Sequence, residues 1–309
     1  MRAAPGPIMI AGPTAAGKSE LALTVAQKIG GEIVAVDSMQ VYRGLDIGTA
    51  KPCAADRQLV PHHLIDVVTL DESFDAAQFV RLARAAVADI QSRGRVPILC
   101  GGTGLYFKAF LAGLGAGPPA DAALRRVLET TPLEGLLREL AERDAATYER
   151  IDRKNLRRVI RAIEVIRLTG KPYSAQRADW QASIADSPSL SLGLARSPID
   201  LHRRIDGRVE QMFARGLVQE TEALLRQGLE QNETAMQALG YHQVVEHLRG
   251  MRSLAETIEL VKIRTRQFAK RQLTWFRRQF QLTWILIGPE QSPDSVLEQI
   301  KMDFLGIGR

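Results

Sequence analysis

The chain has 309 residues, of which 45% are hydrophobic and 25% charged, so it can bury the core of one large or two moderate domains. No apolar run reaches the roughly 18 residues that cross a membrane, and Cys53 and Cys100 form no C-x-x-C motif for zinc or a disulfide. We therefore expect a reduced, cytoplasmic enzyme without a membrane anchor, monomeric by default, and the net charge of +6 favours a polyanionic partner.

The first segment with chemical meaning is a glycine-bounded loop, Gly12 to Ser19, with the sequence GPTAAGKS. It follows a short apolar run that predicts a strand, and it precedes a helix-like segment, Glu20 to Ile29. The spacing fits G-x-x-x-x-G-K-[ST], the P-loop, in which backbone amides and a helix N-terminus hold phosphate oxygens. We expect Lys18 to place its charge at the terminal phosphate and Ser19 its hydroxyl on a bound Mg²⁺. The motif predicts a phosphate ligand, which need not be ATP.

The next buried strand, Glu32 to Ser38, brings a carboxylate toward this loop. Ligands of doubly wound sheets bind at the carboxyl ends of the strands, so we expect Asp37 to face the P-loop. The alternative is that the Asp37 carboxylate caps the turn that follows it.

The stretch that follows carries structural signals. Pro61 to Val67 predicts a short strand after a loop. His62 and His63 invite a metal interpretation, but adjacent side chains diverge and no third ligand lies at metal spacing, so we interpret them as structural. A helix is expected from about Asp75 to Ser92, capped by Asp71 or Ser73.

A third buried strand, Arg95 to Cys100, leads into a second glycine-rich turn, Gly101 to Gly104. An ordinary P-loop NTPase often has an acidic residue at such a strand end, whereas this chain has Gly-Gly-Thr, in which Thr103 supplies a hydroxyl. A second phosphate-binding loop in place of an acid indicates a diphosphate held between two loops. It gives no support to nucleotide hydrolysis.

Gly113 to Ala122 is rich in glycine and proline and predicts a linker. The sequence beyond it is helical in composition and includes NLRRVIRAIEVIRLTG, a helix expected to end at Gly170 with an apolar stripe on one face. Three arginines lie on its opposite face: Arg157, Arg158 and Arg161. We interpret residues 113–189 as an all-helical insertion domain. Residues 1–112 and 190–309 would form an α/β core, a P-loop-containing parallel sheet flanked by helices.

The remaining sequence returns to the core. Its predicted elements are a strand at Ser189–Ala195, helices at Asp200–Gly216, Gln219–Gln227 and Leu254–Gln279, a turn at Ala238–His242 and a last strand within LTWILIG. Two basic tracts, Arg150–Arg177 in the insertion and Lys262–Arg278 in the long helix, fit the footprint of a long anion such as RNA. The alternative is two solvated helix faces.

Eight blocks occur in one order over nearly the whole chain: GPTAAGKS, DSMQVYRGLDIGTAKP, PHHLIDV, GGTGLYFKAF, RVIRAIEVIRLTG, LHRRID, ALGYH and TRQFAKRQLTWFR. Together they resemble the bacterial tRNA dimethylallyltransferases of the IPP transferase family. The chain departs from the family at RIDRKNLRR, where a Pro-Asn-Asp turn often stands. The resemblance implies transfer of a dimethylallyl group from dimethylallyl diphosphate to the N6 amine of the adenosine 3′-adjacent to the anticodon in tRNA, giving N6-isopentenyladenosine and diphosphate.

The mechanism that this resemblance implies gives roles to single residues. Asp37 would take the proton of the adenine amine, while Lys18 and Thr103 stabilise the leaving group. A further clamp is expected from Arg208, with Arg204 as its rival and Arg266 as a weaker candidate. The diphosphate site would comprise Gly12, Pro13, Thr14, Ala15, Ala16, Gly17, Lys18, Ser19 and Arg208. The contacts with the anticodon stem-loop would comprise Asp37, Ser38, Met39, Gln40, Arg157, Arg158, Val159, Ile160, Arg161, Gln237, Ala238, Leu239, Gly240, Tyr241 and His242.

Three other functions compete with this one. A small P-loop kinase would need ATP and an acidic metal ligand at a strand end, which the Gly-Gly-Thr turn disfavours. A prenyltransferase acting on free adenine nucleotides would share the core but has little use for a basic helical insertion. A non-catalytic RNA-binding protein with a decayed site is disfavoured by the intact set of Lys18, Ser19, Asp37 and Thr103.

Overall fold

The computed structural model describes residues 6–115, 117–176 and 189–300. By their contacts, these residues divide into two compact units: a core unit within Met1–Phe110 and Asp186–Arg309, and a helical unit within Leu111–Ala185. The limits of the insertion predicted at residues 113–189 stay a prediction, because residues 177–188 lie outside the described ranges.

A parallel sheet forms the centre of the core unit. Its strands are β1 (Ile8–Ala11), β2 (Glu32–Val36), β3 (His62–His63), β4 (Pro97–Gly101), β5 (Leu190–Ala195) and β6 (Thr283–Leu286). Within the described residues their order is β3-β2-β4-β1-β5-β6, and each pair of neighbours runs parallel. Every residue of β2 and β4 is buried, as expected for strands covered by helices on both faces. This confirms the predicted α/β class.

Helices surround the sheet and build the helical unit. In chain order they are α1 (Lys18–Ile29), α2 (Ala54–Leu59), α3 (Ala76–Ser92), α4 (Gly104–Ala112), α5 (Ala122–Glu129), α6 (Leu133–Arg143), α7 (Ala145–Arg150), α8 (Leu156–Thr169), α9 (Pro198–Ala214), α10 (Leu217–Arg226), α11 (Tyr241–Leu248), α12 (Leu254–Gln279) and α13 (Pro293–Ile300). Among the residues described, no helix combines the length and apolar character needed to cross a membrane. α12 has the predicted bounds, whereas α2 and α13 have no counterpart in the sequence analysis.

The cap of α3 corrects one expectation. Asp75 precedes the helix, and its Oδ1 accepts hydrogen bonds from the amides of Ala77 and Gln78, each at 2.9 Å. Neither Asp71 nor Ser73 is therefore the cap. The sequence offers three residues able to accept such bonds within five positions, and only the chain direction entering the helix decides among them.

The two adjacent histidines are structural, as interpreted. His63 Nε2 lies 2.7 Å from Oε2 of Glu32, which is almost fully buried in β2. Arg93 and Arg95 also donate to this carboxylate. The hydrogen bonds from Arg93, with a smaller contribution from His63, hold the pKa of Glu32 down to about 2 against the opposing effect of burial.

The helical unit has its own apolar core. α8 begins after an Asn155 cap and ends at Gly170, whose left-handed backbone has a φ of 70°, as predicted. Val159 and Ile160, at 0% and 5% exposure, pack in this core against α5 and α6. Their side chains are covered by protein, and their assignment as tRNA contacts stays a prediction.

Candidate active site

Two glycine-rich turns stand side by side at one edge of the sheet. β1 ends at Ala11 and β4 ends at Gly101, and these two residues are paired in the register. The P-loop and the second turn, residues 101–104, therefore leave the sheet at the same level. A Cβ on Gly12, whose φ is +148°, would lie 2.6 Å from a carbonyl oxygen of β5, and one on Gly101 would lie 2.0 Å from a carbonyl oxygen of β2. Both positions require glycine.

A glutamine of α12 joins the two turns. Gln272 accepts a hydrogen bond from the Thr14 amide at 2.8 Å through Oε1, and its Nε2 donates to the Gly102 carbonyl at 2.9 Å. The side chain is buried, with 8% of the residue exposed. Sequence analysis missed this residue because its partners lie 258 and 170 positions away and no local pattern marks it.

Cationic side chains donate hydrogen bonds to three backbone carbonyls of the P-loop. The bonds run from Lys18 Nζ to Pro13 at 2.7 Å, from Arg204 Nε to Ala15 at 3.0 Å and from Arg196 Nε to Ala16 at 3.0 Å. Arg196 is buried at the end of β5 and pairs with Asp200 at 2.8 Å. It belongs to no motif, so no local sequence pattern marks it. These bonds fix the loop backbone before any ligand binds.

Asp37 follows β2 and faces the same space as both turns. Its Oδ1 accepts hydrogen bonds from the amides of Met39 at 2.8 Å and Gln40 at 3.2 Å, so the cap considered as an alternative is present. Asp37 also lines one cavity with Lys18 and Thr103, as the first interpretation predicts. Both hold at once because the cap uses one carboxylate oxygen.

Thr103 ties the second turn to the end of β2. Its Oγ1 accepts a hydrogen bond from the Ser38 amide at 3.2 Å, and its own amide donates to the Val36 carbonyl at 3.2 Å. Because the hydroxyl acts as an acceptor here, its proton can be donated to a ligand. The predicted donor is thus held beside Asp37.

Two cavities meet at the P-loop. We call the first the aspartate cavity: it has about 440 Å³ and is lined by Asp37, Thr103 and Gln272, with apolar side chains such as Leu239 and Phe268. We call the second the arginine cavity: it has about 540 Å³ and is lined by Arg203, Arg204, Arg208 and Arg215. The residues that line both are Lys18, Ser19, Ala50, Arg208 and Met212.

The two cations that line both cavities, Lys18 and Arg208, favour the binding of an anion. Burial, with a smaller contribution from neighbouring Arg208, lowers the pKa of Lys18 from 10.5 to about 8, whereas Asp37 opposes the shift. Burial also lowers the pKa of Arg208. Two neighbouring half-buried cations gain strongly from a polyanion placed between them.

The loop between β2 and α2 is held by α10 and α11. Glu220 accepts hydrogen bonds from the amides of Ile47 at 2.9 Å and Gly48, and from the Tyr241 hydroxyl at 2.5 Å. The Thr49 carbonyl in this loop accepts from Arg208 Nη2 at 3.5 Å. The loop therefore positions a wall of both cavities.

The predicted RNA contacts divide into groups. Ser38, Met39, Gln40, Gln237, Ala238 and Leu239 line the aspartate cavity with Asp37. Tyr241 does not: it lies in the first turn of α11, fully buried, with its hydroxyl on Glu220. Its assignment as a tRNA contact stays a prediction, as do those of Val159 and Ile160. Gly240 precedes α11 and is also buried, while His242 is exposed beside Glu246.

The arginines proposed to bind tRNA or diphosphate differ in their exposure and in their ion-pair partners. Arg157 and Arg158 are exposed on α8, whereas Arg161 pairs with Glu164 at 2.6 Å. Arg266, the weaker clamp candidate, is paired with Asp206 instead of facing the P-loop. Arg208 alone among the proposed clamps lines both cavities.

Comparison with known proteins identifies a family that matches most of the chain. The model of a family described as IPP transferase matches residues 40–279 of the chain. A tRNA dimethylallyltransferase 2 of Geotalea uraniireducens (strain Rf4) is 46% identical over 282 residues, covering 90% of this chain and 91% of the relative. A tRNA dimethylallyltransferase 1 of Trichlorobacter lovleyi is 47% identical over 294 residues, covering 93% and 95%.

Solved structures agree. A full-length tRNA isopentenylpyrophosphate transferase from Bacillus halodurans superposes with a TM-score of 0.71 at 37% identity, covering 96% of this chain and 95% of the other. A eukaryotic dimethylallyltransferase acting on tRNA superposes with a TM-score of 0.79 at 28% identity, covering 98% and 80%.

Proposed function

The chain belongs to the IPP transferase family and transfers a dimethylallyl group to tRNA, and from that premise we propose the substrates and the chemistry. The donor is dimethylallyl diphosphate, and the acceptor is the N6 amine of the adenosine 3′-adjacent to the anticodon. The observation that carries the proposal is the aspartate cavity, where one carboxylate, Asp37, shares a space with Lys18, Thr103 and Arg208. A proton acceptor and leaving-group donors then face the same reacting atoms.

The leaving group requires positive charge and hydrogen-bond donors. When the allylic C–O bond breaks, its electron pair leaves with the diphosphate, so negative charge grows there and positive charge grows on the allyl carbon. Donors fixed around the diphosphate stabilise this transition state more than the ground state. We place the diphosphate against the P-loop and the arginine cavity, with Lys18 and Arg208 on it, because these two cations line both cavities. Thr103 donates its hydroxyl from the other side.

The acceptor amine needs help, because its lone pair is delocalised into the purine ring. Oδ1 of Asp37 is held by two backbone amides, and we assign Oδ2 as the atom that accepts a proton from N6. As the new N–C bond forms, that proton passes to Asp37. One C–O bond is broken, one N–C bond is made, and the proton rests on the carboxylate.

A magnesium ion fits this site only as a companion of the diphosphate. Among the described residues, no group of three or more His, Cys, Asp or Glu side chains could hold a metal by itself. Mg²⁺ usually keeps several waters and binds substrate phosphates, a P-loop supplies it with a Ser or Thr hydroxyl, and Ser19 lies where both cavities meet. Ser19 would hold the ion, which would neutralise part of the diphosphate charge.

We propose that the anticodon stem-loop delivers its adenine to the aspartate cavity. The base must leave the stack of the loop to be reached, and Ser38, Met39, Gln40 and the residues 237–239 line the cavity that would receive it. Arg157 and Arg158 are exposed on α8 and suited to phosphate contacts. We propose that the protein acts as a monomer, in the cytoplasm where tRNA is found.

The decisive experiment is to incubate the protein with dimethylallyl diphosphate and unmodified tRNA and to measure nucleoside masses. We expect one added five-carbon unit on adenosine, absent when the donor is omitted. Two parallel arms test the rival functions. The first contains ATP with candidate acceptors, and the second contains AMP in place of tRNA. Phosphate transfer in the first arm, or faster prenylation of AMP than of tRNA in the second, would overturn the proposal.

A further inference from the structure

One amide group spans the two turns of the proposed diphosphate site. The Gln272 carboxamide reaches the P-loop through its oxygen and the second turn through its nitrogen. The partners have opposite polarity: Thr14 offers an N–H and Gly102 offers a carbonyl. A neutral carboxamide presents one acceptor and one donor in a single plane, so glutamine satisfies both at once.

The packing of α12 makes this bridge tight. A Cβ on Gly102 would lie 2.3 Å from Nε2 of Gln272, and one on Gly104 would lie 2.1 Å from the ring of Trp275, almost one helical turn further along α12. Both glycines are thus needed for the helix to approach the second turn. The distance between the turns is therefore set by α12 as well as by the β1–β4 register.

The bridge also changes which groups can hold a diphosphate. The Thr14 amide, one of the P-loop donors expected to face phosphate, is already bound to Gln272. The Thr14 side chain lines the aspartate cavity with Lys18 and Thr103. Gln272 thereby fixes which face of the P-loop turns toward the second turn.

We infer that Gln272 is a positioning residue for the transfer reaction: its carboxamide holds the two turns at the separation that lets them act together on the leaving diphosphate. This inference rests on the proposed function. It assigns Gln272 no contact with substrate. A misplacement of about 1 Å in such a site lowers the rate by about a hundredfold, so losing the bridge should lower kcat by about tenfold to a hundredfold.

The variant Gln272→Glu tests the polarity of the bridge. The side chain keeps its size, and its carboxylate can still accept from the Thr14 amide, but a second oxygen then faces the Gly102 carbonyl. Protonation restores the pattern, because the carboxylic acid donates through O–H and accepts through C=O. The ratio of variant to wild-type kcat should therefore rise as pH falls from about 8 to about 6, since burial raises the pKa of a carboxyl group.

The variant Gln272→Met and a matched control complete the design. Methionine fills similar space without either hydrogen bond, so its kcat ratio should be low and independent of pH. Gln227→Glu makes the same chemical change at an exposed glutamine of the core unit, outside both cavities and both basic tracts, and should keep the wild-type kcat. The charged residues Lys18, Asp37, Arg208 and Arg271 also line the aspartate cavity, and the ratio for Gln272→Met, which exchanges one neutral side chain for another, is the reference for the pH dependence of Gln272→Glu.

Each possible result of these measurements either supports or overturns the inference about Gln272. Melting temperatures establish that the compared variants are folded, and the KM for tRNA should stay at the wild-type value because only the donor side is disturbed. Wild-type kcat in both variants at position 272, or equal and pH-independent losses in the two, would overturn the inference, since packing alone would then explain the effect. If methionine prevents folding, the pH dependence of Gln272→Glu decides by itself. A wild-type protein that transfers nothing would instead refute the proposed function.

Discussion

At the scale of single residues, Asp37 has two different roles on its two oxygens. Oδ1 holds the backbone of the following turn, and Oδ2 is the oxygen assigned to the reacting amine. A substitution can separate the roles, because asparagine keeps an acceptor at Oδ1 but cannot take a proton.

We expect Asp37→Asn and Asp37→Ala each to lower kcat by about 10²–10⁴, the usual range for loss of a general base. Binding of diphosphate, measured by calorimetry, should persist in the asparagine variant because the turn stays capped. If Asp37 were only a cap, the asparagine variant would retain wild-type kcat while the alanine variant lost stability.

The titration of Lys18 should set an upper pH limit for kcat/KM of the diphosphate donor. Burial lowers the Lys18 pKa to about 8, so the ammonium loses its proton as pH rises through that value and no longer attracts diphosphate. We expect kcat/KM for the donor to fall above about pH 8, approaching tenfold per pH unit. Lys18→Arg keeps its charge and should lose this fall, whatever its absolute rate. A wild-type profile that is flat to about pH 10 would contradict the assignment.

Glu32 gives the fold a pH dependence of the opposite sign. Its pKa is held at about 2 in the folded protein, below its ordinary 4.5, so its stabilising effect is complete above pH 4.5 and is lost as pH falls toward 2. Glu32→Gln should lower the free energy of unfolding by about 1–3 kcal/mol at neutral pH. In urea titrations this difference should shrink with acid, and Glu129→Gln, an exposed match, should show no difference at any pH.

At the scale of helices and strands, local sequence patterns predict the features that depend on residues close together in the chain. The bounds of α12, the Gly170 end of α8 and the strands entering both turns follow from periodicity and caps. Gln272 and Arg196 could not be predicted, because their partners are distant in sequence. Val159 and Ile160 also follow from periodicity, because their positions on the apolar stripe of α8 are buried in the helical unit.

α8 should act on tRNA through its exposed arginines. Reversing both charges, Arg157→Glu with Arg158→Glu, should weaken tRNA binding and lower the slope of log affinity against log salt by about 1–2. The matched control reverses two exposed arginines of the core unit, Arg81 and Arg226, with the same change in net charge. Equal effects of the two pairs would mean that general charge, and not α8, drives binding.

At the scale of the whole molecule, two units with separate apolar cores share the work. The proposed chemistry lies entirely in the core unit, whose site residues come from both of its sequence segments. The basic face of α8 lies in the helical unit.

We expect a variant in which a flexible linker replaces residues 113–188 to fold and to bind inorganic pyrophosphate as the full chain does, because the core unit has its own hydrophobic cluster. Its affinity for tRNA should fall sharply. Calorimetry and filter binding measure the two affinities. Loss of pyrophosphate binding in a folded variant would show that the helical unit contributes to the donor site.

The arginine cavity should slow the release of diphosphate at the end of each catalytic cycle. Arg203, Arg204, Arg208 and Arg215 surround the space assigned to the departing anion, and charges that draw an anion out of a breaking bond also retain it afterwards. Release of the by-product would then limit turnover, giving a rapid first round followed by a slower steady rate. An added pyrophosphatase, which acts only on free diphosphate, would prevent its rebinding and leave the slow release step in place.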